Sequence, residues 1–346
     1  MSKFFKTPFT LSTVAAIFLV AFIIGILVSR LFVSPALRAS AANAPASSKH
    51  VDVIVKATDS QFWQAMLAGA QAAGKDWGPQ VGLFGATSEA DLSDQTRLVE
   101  NSISRNVDAI VLAPSSTQAL NGVISRARSQ NIKVITVDTR VAVPSDGFIG
   151  TDNVKAGAQA ADRLGELLQK KGINSGQILI ESSVAGVQSL IDRDTGFQNQ
   201  LKARFPDLQI TAHRYNNNDT PTALSQTNDV LSANPTLVGI YADNNVSADG
   251  VAQSLQENKA QNRIVAVGFD SDPQEIAALK NGTLKAIVVQ NPYYFGYQGV
   301  LAATMSAQGR YAPPNLDPGA VLVDSSNMNT PAIQKLLNPP TTKGGS

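Results

Sequence analysis

The sequence predicts an α/β fold of two lobes, each a parallel sheet flanked by helices. Three observations carry this. Short valine-rich apolar runs alternate with amphipathic helical stretches, the pattern of a parallel sheet covered on both faces. The alternation continues through two comparable halves. The 346 residues also exceed what one core usually organises, at roughly 150 residues per domain.

The first half opens with Val51–Val55, an apolar run of strand length. Gln61–Trp77 follows, with Phe62, Met66, Ala70 and Ala73 at helical spacing. Val81–Phe84 is the next strand, Leu92–Ser104 a helix, and Asp108–Leu112 a strand stopped by Ala113-Pro114. Thr117–Gln130 is predicted helical and Lys133–Val137 a strand. The second half starts with a helix over Val154–Lys171, with Gly172 as its C-cap. Strands are predicted at Gln177–Glu181, Ile210–Tyr215, Val238–Tyr241, Ile264–Gly268 and Ala286–Gln290. Helices lie between them at Gln188–Arg204, Pro221–Ala233, Ser247–Glu257 and Pro273–Lys280, and Tyr293–Gln308 is a last long helix.

Residues 1–49 stand apart from this pattern. Lys3 and Lys6 precede an apolar run from Leu11 to Val28, and small residues accumulate from Ser34 to Ser48. This is the layout of an export signal. The run also approaches the roughly 20 residues that span a bilayer, so an uncleaved anchor is an alternative, with the lysines on the cytoplasmic side. In both cases the rest of the chain is exported, and the Ala-, Ser- and Pro-rich stretch Ala36–Lys49 reads as a linker.

Composition excludes several functions. The chain has no cysteine, which removes disulfides, thiolate metal sites and cysteine nucleophiles. The formal net charge of +1 comes with no long basic run, so no nucleic-acid surface is expected. His50 and His213 are far apart in sequence and read as surface residues. No Walker loop, GxSxG elbow or HExxH motif occurs. No cofactor, no metal and no catalytic residue are expected.

In parallel sheets, ligands sit beyond the carboxyl ends of the strands. Lys56 ends the first strand, and Ser60, Phe62 and Trp63 follow it. Asp138, Thr139 and Arg140 follow Val137. Later strands lead into Asp243-Asn244-Asn245, Asp270 and Gln290-Asn291-Pro292. Carboxylates and amides suit paired hydroxyl recognition, and aromatic faces pack on the C–H face of a sugar ring. Each residue has a plainer reading: a helix cap for Asp138 or Asp270, a turn for Asn244, core for Phe62 and Trp63. Their convergence on one predicted cleft favours ligand contact.

These residues lie in motifs that resemble the periplasmic ribose-binding family of sugar-binding proteins. In order they are TDSQFWQAMLAGAQAAG from Thr58, DAIVLAP from Asp108, IKVITVDTR from Ile132 and IGTDNVKAG from Ile149. DRDTGF from Asp192, YADNNVSADG from Tyr241, VAVGFDSDP from Val265 and IVVQNPYYFG from Ile287 continue the series. The resemblance runs from Val51 to about Ser326. It implies the type I periplasmic binding protein fold: two Rossmann-like lobes joined by a three-strand hinge. The first lobe would be residues 51–151 with about 291–318, the second 152–290 with about 319–338.

The resemblance also implies a ligand set. Ser60, Phe62, Trp63 and Asp138 match first-lobe contacts, and Asn244, Asp270 and Gln290 match second-lobe and hinge contacts. Lys56 is similar to a lysine of the autoinducer-binding branch. Where the ribose type has arginine after the first carboxylate, this chain has Thr139, with Arg140 one place later. A further family arginine falls near Ile191, an aromatic falls near Asn218, and Arg193 matches a structural arginine. These departures point away from ribose itself.

The implied protein is no enzyme. It is a monomeric periplasmic or extracytoplasmic solute-binding protein that takes a monosaccharide or small polyol by hinge closure and delivers it to an ABC permease with its ATPase. It would touch the membrane through its N-terminal segment alone. The alternative is a sensing module that presents its ligand to a chemoreceptor or membrane sensor kinase. A repressor of related lobes is set aside, because an apolar export segment stands where a helix-turn-helix would be needed.

Overall fold

The structure, a computed structural model, describes residues 48–312 and 314–341. The predicted export or anchor run Leu11–Val28 lies outside the described residues. Among the described residues, no helix is long and apolar enough to cross a membrane.

The first half runs β1 (His50–Val55), α1 (Gln61–Trp77), β2 (Gln80–Gly85), α2 (Leu92–Ser104), β3 (Ala109–Leu112), α3 (Asn121–Ser129), β4 (Lys133–Val137) and β5 (Gly147–Ile149). The second runs α4 (Asn153–Lys170), β6 (Gly176–Ser182), α5 (Gln188–Arg204), β7 (Leu208–Tyr215), α6 (Thr220–Ala233), β8 (Leu237–Ala242), α7 (Asn245–Glu257), β9 (Val265–Phe269), α8 (Pro273–Lys280) and β10 (Ala286–Val289). The chain closes with α9 (Pro292–Ala307), β11 (Asn315–Leu316), β12 (Val321–Asp324) and α10 (Pro331–Leu337).

Two six-stranded sheets result, ordered β11-β5-β4-β3-β1-β2 and β12-β10-β9-β8-β6-β7. All described pairings are parallel except β12 against β10. The central strands are buried on both faces, which is why they read as continuous apolar runs: Val51, Val53, Ile54 and Val55 are fully inaccessible. The chain passes between the sheets three times, at residues 150–152, 290–291 and 317–320. These passages form the three-strand hinge expected for the type I binding-protein fold.

Helix starts follow local chemistry. Ser60 caps α1, Asp152 caps α4, and Asp272 with Glu275 forms a capping box on α8 just ahead of Pro273. The predicted helix over Thr117–Gln130 is shorter than expected and begins at Asn121. The hydroxyl of Ser116 accepts the backbone N–H groups of Gln118 and Ala119 at 3.3 and 3.1 Å, so a side-chain turn replaces the first helical turn. Helices α4 and α5 cross with their backbones in contact. A Cβ at Gly157 would lie 1.9 Å from the Arg193 carbonyl oxygen, and one at Gly196 would lie 1.9 Å from that of Val154. This close crossing fixes where α5 presents Arg193.

Candidate functional site

Both sheets end their strands at one cavity of about 360 Å³, lined from the first lobe by Lys56, Phe62, Trp63, Glu89 and Asp138. Ser189, Leu190, Arg193, Asn244, Asn245, Asp270 and Gln290 line it from the second lobe and the hinge.

Two carboxylates face each other across the cavity, and the backbone delivers them alike. Asp138 follows β4 with φ of 62°, and Asp270 follows β9 with φ of 81°. This left-handed conformation turns each side chain off its strand, and Asp tolerates it better than most residues. Neither carboxylate caps a helix: the cap of α8 is Asp272.

Their surroundings tune them in opposite directions. Burial raises the Asp138 carboxyl, but the Lys56 and Arg193 charges and the hydrogen bonds from Lys56 and Thr139 outweigh it, and its pKa lies below the ordinary value. Lys56 Nζ stands 2.7 Å from Asp138 Oδ2, with both side chains about 95% buried at 5% and 4% exposure. Burial pushes Asp270 up to about 6, offset only in part by Arg193 and by the Gln290 hydrogen bond. Gln290 Nε2 donates to Asp270 Oδ1 at 2.8 Å, while Gln290 Oε1 is a buried acceptor without a partner. A buried acceptor held this way is free to take a hydrogen bond from a donor that enters the cavity.

The remaining walls set orientation. Phe62 and Trp63 meet edge to face at 4.7 Å. The Trp63 indole N–H donates to Glu89 Oε1 at 2.7 Å. Burial raises the Glu89 carboxyl, and Lys56 and that N–H oppose the rise. Arg193 is held at three points: Nε donates to Asn153 Oδ1 at 2.9 Å, Nη1 donates to the Asp243 carbonyl at 2.8 Å, and the guanidinium lies 3.8 Å over Phe269. Asn244 Oδ1 caps α7 by accepting the Ser247 N–H at 2.9 Å, and its amide nitrogen donates to Asn218 Oδ1 at 3.1 Å. The cap reading of Asn244 therefore holds alongside its place in the cavity wall.

Of the nine residues singled out in the sequence, the cavity gathers Lys56, Phe62, Trp63, Asp138, Asn244, Asp270 and Gln290. Two stand elsewhere. The hydroxyl of Ser60 accepts the Trp63 N–H at 3.4 Å as the cap of α1. Arg140 lies 3.9 Å over Phe148 and donates to Asn315 Oδ1 at 3.2 Å. It lines a separate cavity of about 700 Å³ beside the hinge, together with Thr151, Asn153 and Asp317. Sequence reasoning missed Glu89, Ser189 and Leu190, placed Asn245 at a strand end without giving it a ligand role, and took Arg193 as structural. Glu89 follows β2, so the strand-end rule applied to that strand finds it. Arg193 sits within α5, where no strand-end rule reaches. The position expected near a family arginine, Ile191, is 44% exposed.

The buried acids give the fold a defined pH response. Burial raises Asp270 to about 6, Glu181 to about 7, and, with the neighbouring Asp272 adding to it, Asp249 to about 9. A carboxyl whose folded pKa exceeds its unfolded one destabilises the fold above the folded value, and the penalty fades as pH falls toward the unfolded value. Thermal unfolding of the ligand-free protein should therefore show it more stable at pH 6 than at pH 8, on the order of 2–4 kcal/mol. Asp138, Asp108 and Asp324, whose values are lowered, act oppositely, and their contribution is lost in stronger acid. A melting temperature flat from pH 8 to 6 would contradict the burial of these acids.

Residues 51–310 match the model of a periplasmic binding protein domain. The D-allose-binding periplasmic protein of Escherichia coli (strain K12) is 28% identical over 282 residues, covering 79% of this chain and 89% of that protein. A carbohydrate transporter solute-binding protein of Agrobacterium radiobacter, solved with D-arabinose, is 36% identical with a TM-score of 0.82, covering 85% of this chain and all (100%) of that one. An ABC transporter solute-binding protein of Agrobacterium vitis, solved with D-fucose, is 35% identical with a TM-score of 0.79, covering 84% and 100%. With this match, this topology and this cavity, the chain belongs to the periplasmic binding protein family, among the sugar-binding solute-binding proteins of ABC transporters, and is not an enzyme.

Proposed function

We propose that the protein captures a neutral monosaccharide or closely related polyol in the cavity between its lobes and closes over it by bending at the hinge. The observation that carries this is the pair Asp138 and Asp270, which face one cavity from opposite lobes. Sugar hydroxyls would replace the water each carboxylate loses on closure. Phe62 and Trp63 would pack on the ring face. Lys56 and Arg193 would keep Asp138 ionised, so that it accepts from two hydroxyls. Only the closed form offers contacts from both lobes, so ligand shifts the equilibrium toward it.

The family works in the periplasm or extracytoplasmic space, and this chain with it. Delivery to an ABC permease with its ATPase, action as a monomer, and export through Leu11–Val28, as a cleaved signal or as a retained anchor that tethers the protein, complete the proposal. The sugars named for the relatives, D-allose, D-arabinose and D-fucose, set the first panel, extended to other aldoses, ketoses and polyols. A ligand that binds only the folded state raises the melting temperature by mass action. One or a few sugars should raise it at millimolar concentration; a panel without any shift would contradict sugar capture.

A further inference from the structure

The N-terminus of α5 is capped from the other lobe. Its own N-cap residue is Val187, which has no side chain to accept a backbone N–H. Helix starts leave such N–H groups without intrahelical partners, and here the Gln188 N–H is taken at 3.2 Å by the hydroxyl oxygen of Thr117. Thr117 lies between β3 and α3, on the first lobe, whereas α5 belongs to the second. One residue further, Ser189 Oγ lies 2.9 Å from Thr139 Oγ1, again across the lobes, and both residues are buried.

The direction of the second bond follows from hydrogen count. A threonine hydroxyl has one hydrogen, and that of Thr139 is given to Asp138 Oδ2 at 2.8 Å. Ser189 must therefore donate to Thr139. A chain of donors runs from the second lobe, through Thr139, to the first-lobe carboxylate of the cavity. This assigns a role to the position where the resemblance expected an arginine: Thr139 does not line the cavity but joins the lobes behind it.

We infer that Thr117 and Thr139 are positioning residues for sugar capture: a lobe-to-lobe latch that forms on closure, completes the cap of α5 and aims the Asp138 carboxylate. This rests on the reading of the cavity as a sugar site. When the lobes part, water replaces both contacts. The latch adds to the stability of the closed form alone, and so slows ligand release without touching the ligand.

The test uses Thr117→Val and Thr139→Val in the full-length protein, each preserving shape and removing the hydroxyl. Stopped-flow kinetics should show sugar released faster and affinity reduced about three- to tenfold, with association unchanged. The ligand-free melting temperature of Thr117→Val should stay near that of the wild type, whereas Thr139→Val also loses its bond to Asp138 within the first lobe, so the ligand-free comparison is made on Thr117→Val. Affinity and release within twofold of the wild type overturn the latch, as does a ligand-free protein destabilised as much as the complex, which marks a purely structural role. A sugar-independent check uses the absence of native cysteine. The double variant Thr139→Cys with Ser189→Cys should form an intramolecular disulfide under mild oxidation, faster when a bound ligand holds the lobes closed. No disulfide under any condition overturns the latch even if no sugar is found. A wild type that binds no sugar while the disulfide forms sinks the sugar reading and leaves the lobe contact standing.

Discussion

Asp270→Ala and Asp138→Ala are each expected to weaken sugar binding by at least about 100-fold, because hydrogen bonds to a charged group contribute roughly 1.5–3 kcal/mol each and each carboxylate can accept two. Isothermal titration measures this directly. The two variants should part company in stability. Asp270 is a buried acid raised to about 6, so its removal relieves a desolvation penalty that offsets the strain of alanine at a φ of 81° and the lost Gln290 partner, and ligand-free Asp270→Ala should melt close to the wild type at neutral pH. Removing Asp138 strands Lys56, whose ammonium it holds at 2.7 Å in a buried setting. Breaking such a pair costs about 3–5 kcal/mol, so Asp138→Ala should melt well below the wild type. Retained affinity in both variants would contradict the site, and equal melting temperatures would contradict the charge assignment.

Arg193→Ala is expected to produce the largest combined effect. The guanidinium ties α5 to Asn153 at the hinge and to the Asp243 carbonyl, and it covers Phe269. Its charge also lowers Asp138, Asp243 and Asp270 toward ionisation. Without it, Asp243 and Asp270 lose the buried cation that offsets their burial. A loss of about 3–5 kcal/mol in stability is expected, together with sugar binding below detection. Arg193→Lys should recover part of the charge but not the three-point anchoring, because an ammonium lacks the planar fork. Denaturant unfolding and titration of both variants check this. Alanine and lysine variants of near-wild-type stability would show that Arg193 does not hold the second lobe together.

The α/β alternation was legible because strands buried on both faces are almost wholly apolar, as in Ala286–Val289 and, apart from Asp52, in Val51–Val55. The shortest elements were not: β5 and β11 have three and two residues, too few to show a period, and β12, as long as β10, is an edge strand that starts at the exposed Val321. Strand ends identified Lys56, Asp138, Asp270 and Gln290 as facing a cleft, since parallel topology alone carries those positions there. It could not separate Ser60 from Phe62 and Trp63 in the same turn, because a hydroxyl that caps a helix and one that meets a ligand look alike in sequence. Arg140 stands outside this cavity for a related reason: the left-handed turn at Asp138 carries the chain on toward the neighbouring cavity that Arg140 lines. Arg193 was read as structural from its motif. The structure gives it structural anchors and a place in the wall, and that double use depends on the close α4–α5 crossing at Gly157 and Gly196, which no local pattern reveals.

The most direct test of capture between the lobes is a crystal structure of the complex with the sugar that most raises the melting temperature. The account predicts one sugar ring in the cavity, its hydroxyls within hydrogen-bonding distance of both Asp138 and Asp270 and one ring face on Phe62 or Trp63. A sugar bound to one lobe alone, or seated outside this cavity, would contradict it.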